Sequence, residues 1–330
     1  MAKDLTPAEM NESVQANLIA MCSVIISLSI LALGLRFWSN YVAPSYRWWW
    51  DDFFAAITLP FAISENAIIL WWISLGLGKH AATIPPADQA KSPMIIFIAN
   101  LLYYTNISLP KFSALFFYGR IFQQTNKWFT LALWAIGVMN AGWLLSTWVV
   151  SIFGCTPING AWEKVPGRIC IPQWNWLLGA AIPSMVIDLL ILTLPLPMLW
   201  GLQVTAIRRI MVVVAFLFGY SVIVLSIGRL VTLAQVGTSL FDDLTWTSIE
   251  YSVWVQCEGL VSLVSVCLPS IIRLAKHVFR NGRRESLSNS RASSEMLYSS
   301  TKSLQKAIHS HGGLSGTDVY PRSHSQRSHL

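Results

Sequence analysis

Residues 106–122 read "NISLPKFSALFFYGRIF", an apolar segment with Lys111 set directly after Pro110 near its start. Followed outward, the apolar run covers Met94–Ile121. That is more than the roughly 20 residues needed to cross a hydrocarbon core of about 30 Å. Six other runs of this kind occupy Ala16–Leu35, Phe53–Leu77, Trp128–Phe153, Trp174–Trp200, Ile210–Val236 and Trp246–Ile272. The pattern predicts an all-α membrane protein, a seven-transmembrane helix bundle.

Composition agrees. Hydrophobic residues make up 54% of the chain and charged residues 12%, where a soluble domain is about one-quarter charged. The net charge of +7 is concentrated at one end. Residues 1–272 hold 13 Lys/Arg and 13 Asp/Glu, whereas residues 273–330 hold 10 and 3, together with five of the six histidines. A basic nucleic-acid-binding domain is therefore not implied, and no nucleic-acid partner is expected. Three parts follow: a short N-terminal segment (1–15), the membrane domain (16–272) and a Ser/His-rich basic tail (273–330), expected to be disordered from Asn281 onward.

Orientation is read from Lys and Arg near the span ends. Arg36, Arg47, Arg120, Lys127, Arg208, Arg209, Arg273, Lys276, Arg280, Arg283 and Arg284 fall on one side, against Lys3, Lys79, Lys91, Lys164 and Arg168 on the other. The excess puts the N-terminus outside and the tail in the cytoplasm. Trp48, Trp49 and Trp50 suit an interfacial aromatic belt, and Pro195 and Pro197 should end the fifth span. "RLAKHVFRNGRR", residues 273–284, would attract an anionic inner leaflet. Phosphorylation of Ser286 or Ser293 would oppose that attraction. A merely solvated tail is the alternative.

Five ionisable residues fall well inside the runs: Glu65, Lys111, Asp188, Arg229 and Glu258. Each costs about 2.5–3.5 kcal/mol at mid-membrane when unpaired, so they must point inward, pair or meet water. Lys111 and Asp188 differ in depth by only about 5 Å at 1.5 Å per residue, which makes them partners. Arg229 pairs with Glu258 or Glu250. Glu65 is left over by elimination and suits a hydrogen-bonding acid or a ligand contact. Pro110 frees the carbonyl of Asn106, and Lys111 is placed to satisfy freed acceptors nearby. Asn100, Tyr104, Ser108, Lys111 and Tyr118 recur at helical spacing and form one polar stripe. Two readings stand for these groups: polar glue between helices, or a ligand pocket made by Glu65, Lys111, Tyr118, Asp188, Arg229 and Glu258.

Cys155 and Cys170 share an outward loop, where an oxidising compartment would join them; two free thiols are the alternative. Asp51 and Asp52 stand where a helix begins and would cap its free amides. Alternatively, with Arg120 they mark the face a cytoplasmic signalling partner would meet. His80, in "GLGKH", reads as a surface residue. No spacing suits a metal, and there is no Ser/His/Asp arrangement at one membrane face, no phosphate loop and no paired metal carboxylates.

"RWWWDD" (47–52), "GLGKH" (76–80), "LYYTNISLPKFSALFFYGRIF" (102–122), "CTPINGAWEKVPGRIC" (155–170), "DLLILTLPLPMLWGL" (188–202) and "FGYSVIVLSIGRL" (218–230) follow in order along the chain. They resemble the recurring blocks of fungal rhodopsin-domain integral membrane proteins. These are seven-span proteins similar to the Pth-type G-protein-coupled-receptor-like proteins of filamentous fungi. The resemblance covers about residues 15–275. It implies a receptor-like bundle with relatives in secondary-metabolite gene clusters. No retinal cofactor is expected, because Trp246–Ile272 contains no lysine. Arg120 has no acidic neighbour and the seventh span no Asn-Pro turn, both departures from animal receptor switch motifs. The expected function is a plasma-membrane sensor of a small extracellular molecule. The alternative is a membrane-embedded enzyme or accessory protein of a secondary-metabolite pathway, with protonated Glu65 or Glu258 as general acid. A transporter is a third reading, disfavoured by the lack of visible repeats.

Overall fold

A computed structural model describes residues 12–42, 48–122, 127–163, 165–197, 206–237 and 243–311. For Gln173, residues 206–212, 215, 236, 244, 280–292, 304–305 and 307–311 only the backbone is described. Among the described residues seven helices are long and apolar enough to cross a membrane. They are α1 (Gln15–Val42), α2 (Trp50–Ser74), α3 (Ser92–Ile121), α4 (Lys127–Phe153), α5 (Gln173–Thr193), α6 (Ala206–Val236) and α7 (Leu244–His311). The seven runs in the sequence are these seven helices. Most of the N-terminal segment, Arg47, Lys164 and residues 312–330 lie outside the described residues, as do the side chains of Arg208, Arg209 and Ser286.

Two helix ends differ from expectation in ways that matter. α1 continues past Leu35 to Val42, which places Arg36 inside a helix. α5 stops at Thr193, two residues before Pro195; Pro195 has no N–H to carry the helical hydrogen bonding further.

Contacts divide the chain into two units, Met1–Leu274 and Ala275–Leu330. The second unit is helical to His311, where disorder was expected from Asn281. Between Gly282 and Gly312 there is no Gly or Pro to interrupt a helix.

In the first unit α3 is the central helix. It packs on α2, α4 and α5, and every residue from Tyr103 to Lys111 is buried. A helix enclosed on all sides needs no single apolar face, and this one mixes Thr105, Asn106 and Ser108 with Ile107 and Leu109. By contrast α4 turns Leu131, Trp134, Val138, Leu145 and Val149 outward at helical spacing, a stripe suited to acyl chains. Trp48 and Trp50 are well exposed, and Trp48 stacks on Phe37 at 5.3 Å, as an interfacial belt requires.

The α2–α3 connection is tied down. Gly76 and Gly78 hold positive φ values of 122° and 89°, a backbone region that favours glycine. They bring His80 to a buried position, not the surface expected. Its Nδ1 lies 2.7 Å from Asp243 Oδ2, its ring stacks on Trp246, and Ala81 N–H donates to Asp243 Oδ1 at 2.9 Å. On the same side of the bundle, strands β1 (Cys155–Thr156) and β2 (Ile169–Cys170) pair antiparallel, and Cys155 and Cys170 form the expected disulfide.

Candidate functional site

Among the described residues the charged side chains buried within the spans gather in three clusters along the inside of the bundle. In the middle, Lys111 Nζ on α3 lies 3.0 Å from Asp188 Oδ2 on α5. It also donates to the Ser184 hydroxyl at 2.8 Å and the Ser184 carbonyl at 3.0 Å, and stands over the Trp143 ring. The expected pair therefore forms. The acceptors Lys111 serves are on α5, however, and not on its own helix beside Pro110.

Nearer the disulfide side, Arg229 Nε on α6 lies 2.9 Å from Glu258 Oε2 on α7. The contact is an ion pair too poorly aligned to count as a hydrogen bond, and Arg229 Nη2 has no partner among the described residues. Glu258 in turn accepts from Tyr103 Oη at 2.9 Å and from Ser226 Oγ at 2.7 Å. Glu258 is thus the partner of Arg229, while Glu250 takes only a 3.3 Å contact from Thr232. One turn along, Asn106 Nδ2 donates to Glu65 Oε2 at 2.7 Å. Glu65 has no cationic partner among the described residues, as the elimination argument anticipated.

The third cluster lies at the opposite end and was not anticipated. Arg36 Nη2 is 2.7 Å from Asp51 Oδ2 and its Nε 2.9 Å from Asp52 Oδ1, with all three side chains at 1% exposure or less. Arg36 Nη1 donates to the carbonyl of Val266 on α7. Asn40 donates to Asp52 at 3.0 Å, Ser113 to the Asp51 carbonyl at 2.8 Å, and Arg120 Nη1 lies 3.3 Å from Asp51 Oδ1. The two aspartates stand in the first turn of α2, as expected of acids at a helix start, while Trp49 at the N-cap makes no side-chain cap hydrogen bond. They lock α1, α2, α3 and α7 together.

Sequence reasoning missed this lock because α1 was expected to end before Arg36. It also missed Tyr103 and Asn106, whose polar groups face α2 and α7. The stripe it found, through Tyr104, Ser108 and Lys111, faces α4 and α5: Asn140 Nδ2 donates to Ser108 Oγ at 2.9 Å, and Tyr104 packs edge-on against Trp143 and Trp176. Tyr118 is buried and lines a cavity of about 70 Å³ with Pro110, Lys111 and Asp188. A second cavity of about 70 Å³ is lined by Glu65, Trp72, Asn100, Tyr103, Ser248 and Gln256 among others. The six expected pocket residues thus divide between two chambers and the ion pair between them. Among the described residues no group of three or more His, Cys, Asp or Glu could hold a metal ion.

Gly259 makes the Asn106–Glu65 bond sterically feasible. A Cβ there would stand 2.8 Å from Asn106 Nδ2. Gly259→Ala is expected to displace Asn106 and lower stability by about 1–3 kcal/mol, read as a fall in Tm of the purified protein. An unchanged Tm would show that Asn106 has room to spare.

Seven spanning helices closed around paired charges define a multi-pass membrane protein of receptor-like build. The chain belongs to the fungal rhodopsin domain family, whose pattern matches residues 35–277. It is 27% identical over 266 residues to the Polyenoic acids biosynthesis gene cluster protein Ba17b of Metarhizium anisopliae, covering 74% of this chain and 70% of that protein. It is 26% identical over 283 residues to a SAT4 family membrane protein of Emericella nidulans, covering 85% and 66%. It is also 26% identical over 160 residues to Satratoxin biosynthesis SC1 cluster protein 4 of Stachybotrys chartarum, covering 48% and 59%. No solved structure matches the chain significantly.

Proposed function

We propose that this protein is a receptor-like sensor of a small molecule, with its N-terminus outside, its tail in the cytoplasm and its site in the plasma membrane. The observation that carries the reading is the arrangement of the polar clusters. All three are built on α3, and the two end ones also on α7, so a ligand that moves α7 against α3 near Glu65 would be felt at the Arg36–Asp51–Asp52 lock. Coupling of this kind requires two sites and an element biased by both. The disulfide, which needs an oxidising compartment, supports placing the Glu65 end outside. Lys111, Asp188, Arg229 and Glu258 are largely spent on one another and position the helices. Glu65, with no cation of its own, is the ligand contact. Asp51, Asp52 and Arg120 lie at the end where a cytoplasmic signalling partner would bind.

A deletion strain should lose a transcriptional response to an added extract, and a Glu65→Gln strain should behave alike. Where a pathway is under this control, all its products should fall together. Build-up of one specific precursor in both strains would overturn the sensor reading.

The names of the relatives favour a second reading. Two of the three described above are called biosynthesis cluster proteins, and this fits a membrane-embedded enzyme or accessory protein of a secondary-metabolite pathway. Glu65 or Glu258 would then serve as general acid toward a lipophilic substrate.

A further inference from the structure

A third chamber lies under the disulfide hairpin. It is a vestibule of about 390 Å³, lined by Phe97, Arg168, Ile171 and Trp176 among others. Ile96 and Asn100 line both this vestibule and the cavity on Glu65, so one turn of α3 separates the two spaces. Two buried polar side chains of the inner cavity take no part in the ion pairs. Gln256 Nε2 and Ser248 Oγ have no hydrogen-bond partner among the described residues, at 2% and 6% exposure.

Buried polar groups without partners point to what is meant to meet them. The Gln256 amide nitrogen can only donate, whereas Glu65 only accepts when ionised and both donates and accepts as the neutral acid. An ammonium head has no lone pair to offer Gln256. An ether has no hydrogen to offer an ionised Glu65. A hydroxyl serves Gln256 and either form of Glu65 at once, and Ser248 can join from either side. Size sets the rest: a water takes about 10–15 Å³ on the same measure, so 70 Å³ admits a polar head with a few atoms behind it. A larger apolar body would stay in the vestibule against Phe97 and Trp176.

We propose that the vestibule and the Glu65 cavity are two chambers of one site that takes an apolar alcohol hydroxyl-first, its hydroxyl between Glu65 and Gln256 and its body beneath the disulfide hairpin. The proposal deepens the sensor reading and rests on it for its biological meaning. Binding itself is a property of the isolated protein.

The test uses the full-length chain in lipid nanodiscs, titrated with 4-phenylbutan-1-ol, butylbenzene and 4-phenylbutylamine. The alcohol should saturate and raise Tm, while butylbenzene only partitions into lipid and the amine binds about tenfold more weakly, the worth of one hydrogen bond. Gln256→Leu should weaken alcohol binding by about tenfold and leave the Tm of the unliganded protein unchanged or higher, since it removes an unpartnered buried donor. Ile96→Trp should block the passage and abolish binding with all polar groups intact. A preference for the amine, saturation by none of the three, or full affinity in Gln256→Leu overturns the assignment. A lower unliganded Tm in Gln256→Leu also does, because the amide is then held by trapped water. Alcohol binding by purified protein, with every response intact in the deletion strain, would keep this site and remove the sensor reading. The reverse pair of results would remove only the site.

Discussion

Arg36→Leu is expected to yield little or no folded protein. The substitution leaves Asp51 and Asp52, both fully buried, facing each other with Arg120 as their remaining described cation, and it also withdraws the donor to the Val266 carbonyl. Removing one partner of a buried pair costs about 3–5 kcal/mol, and here one side chain serves two carboxylates. Against a total stability of about 5–15 kcal/mol, that loss is decisive. The check is the yield of monodisperse protein after detergent extraction and its Tm. Adding Asp51→Asn and Asp52→Asn to Arg36→Leu should restore part of the yield, because the stranded charge is gone. A single variant that melts with the wild type would show that the lock contributes nothing.

The second large effect concerns Lys111 and Asp188. Either Lys111→Leu or Asp188→Leu should destabilise by about 3–5 kcal/mol, since each strands a charge in the interior. The double variant should be clearly milder than the sum, with a coupling of about 0.5–3 kcal/mol. Additive effects would mean that the 3.0 Å approach of Lys111 Nζ to Asp188 is incidental and that Ser184 alone holds the lysine.

Much of the architecture could be read from the sequence because the bilayer imposes it: each long apolar run had to be a helix, and a charge in such a run had to find an opposite one. The same depth argument placed Lys111 with Asp188 and Arg229 with Glu258 or Glu250, and the count of charges left Glu65 over. What it could not see were partners without charge or without depth. Asn106 and Tyr103 carry no cost large enough to draw attention, yet they hold Glu65 and Glu258 in place. Arg36 looked like a loop charge, since hydropathy falls off before the helix ends. His80 was misread for another reason. Its partner, Asp243, lies far away in sequence, and only closure of the bundle brings them together.

The seventh helix supplies Glu258, the Val266 carbonyl and, just ahead of it, Asp243. A ribosome delivers this segment after the other six spans. Six spans therefore enter the bilayer with Arg229 and Arg36 lacking carboxylate or carbonyl partners on α7, and with His80 unlatched, until the final segment arrives. Nascent chains halted before it should be marked for degradation by membrane quality control, so a premature stop codon between the sixth and seventh spans ought to be as damaging as one ahead of the first.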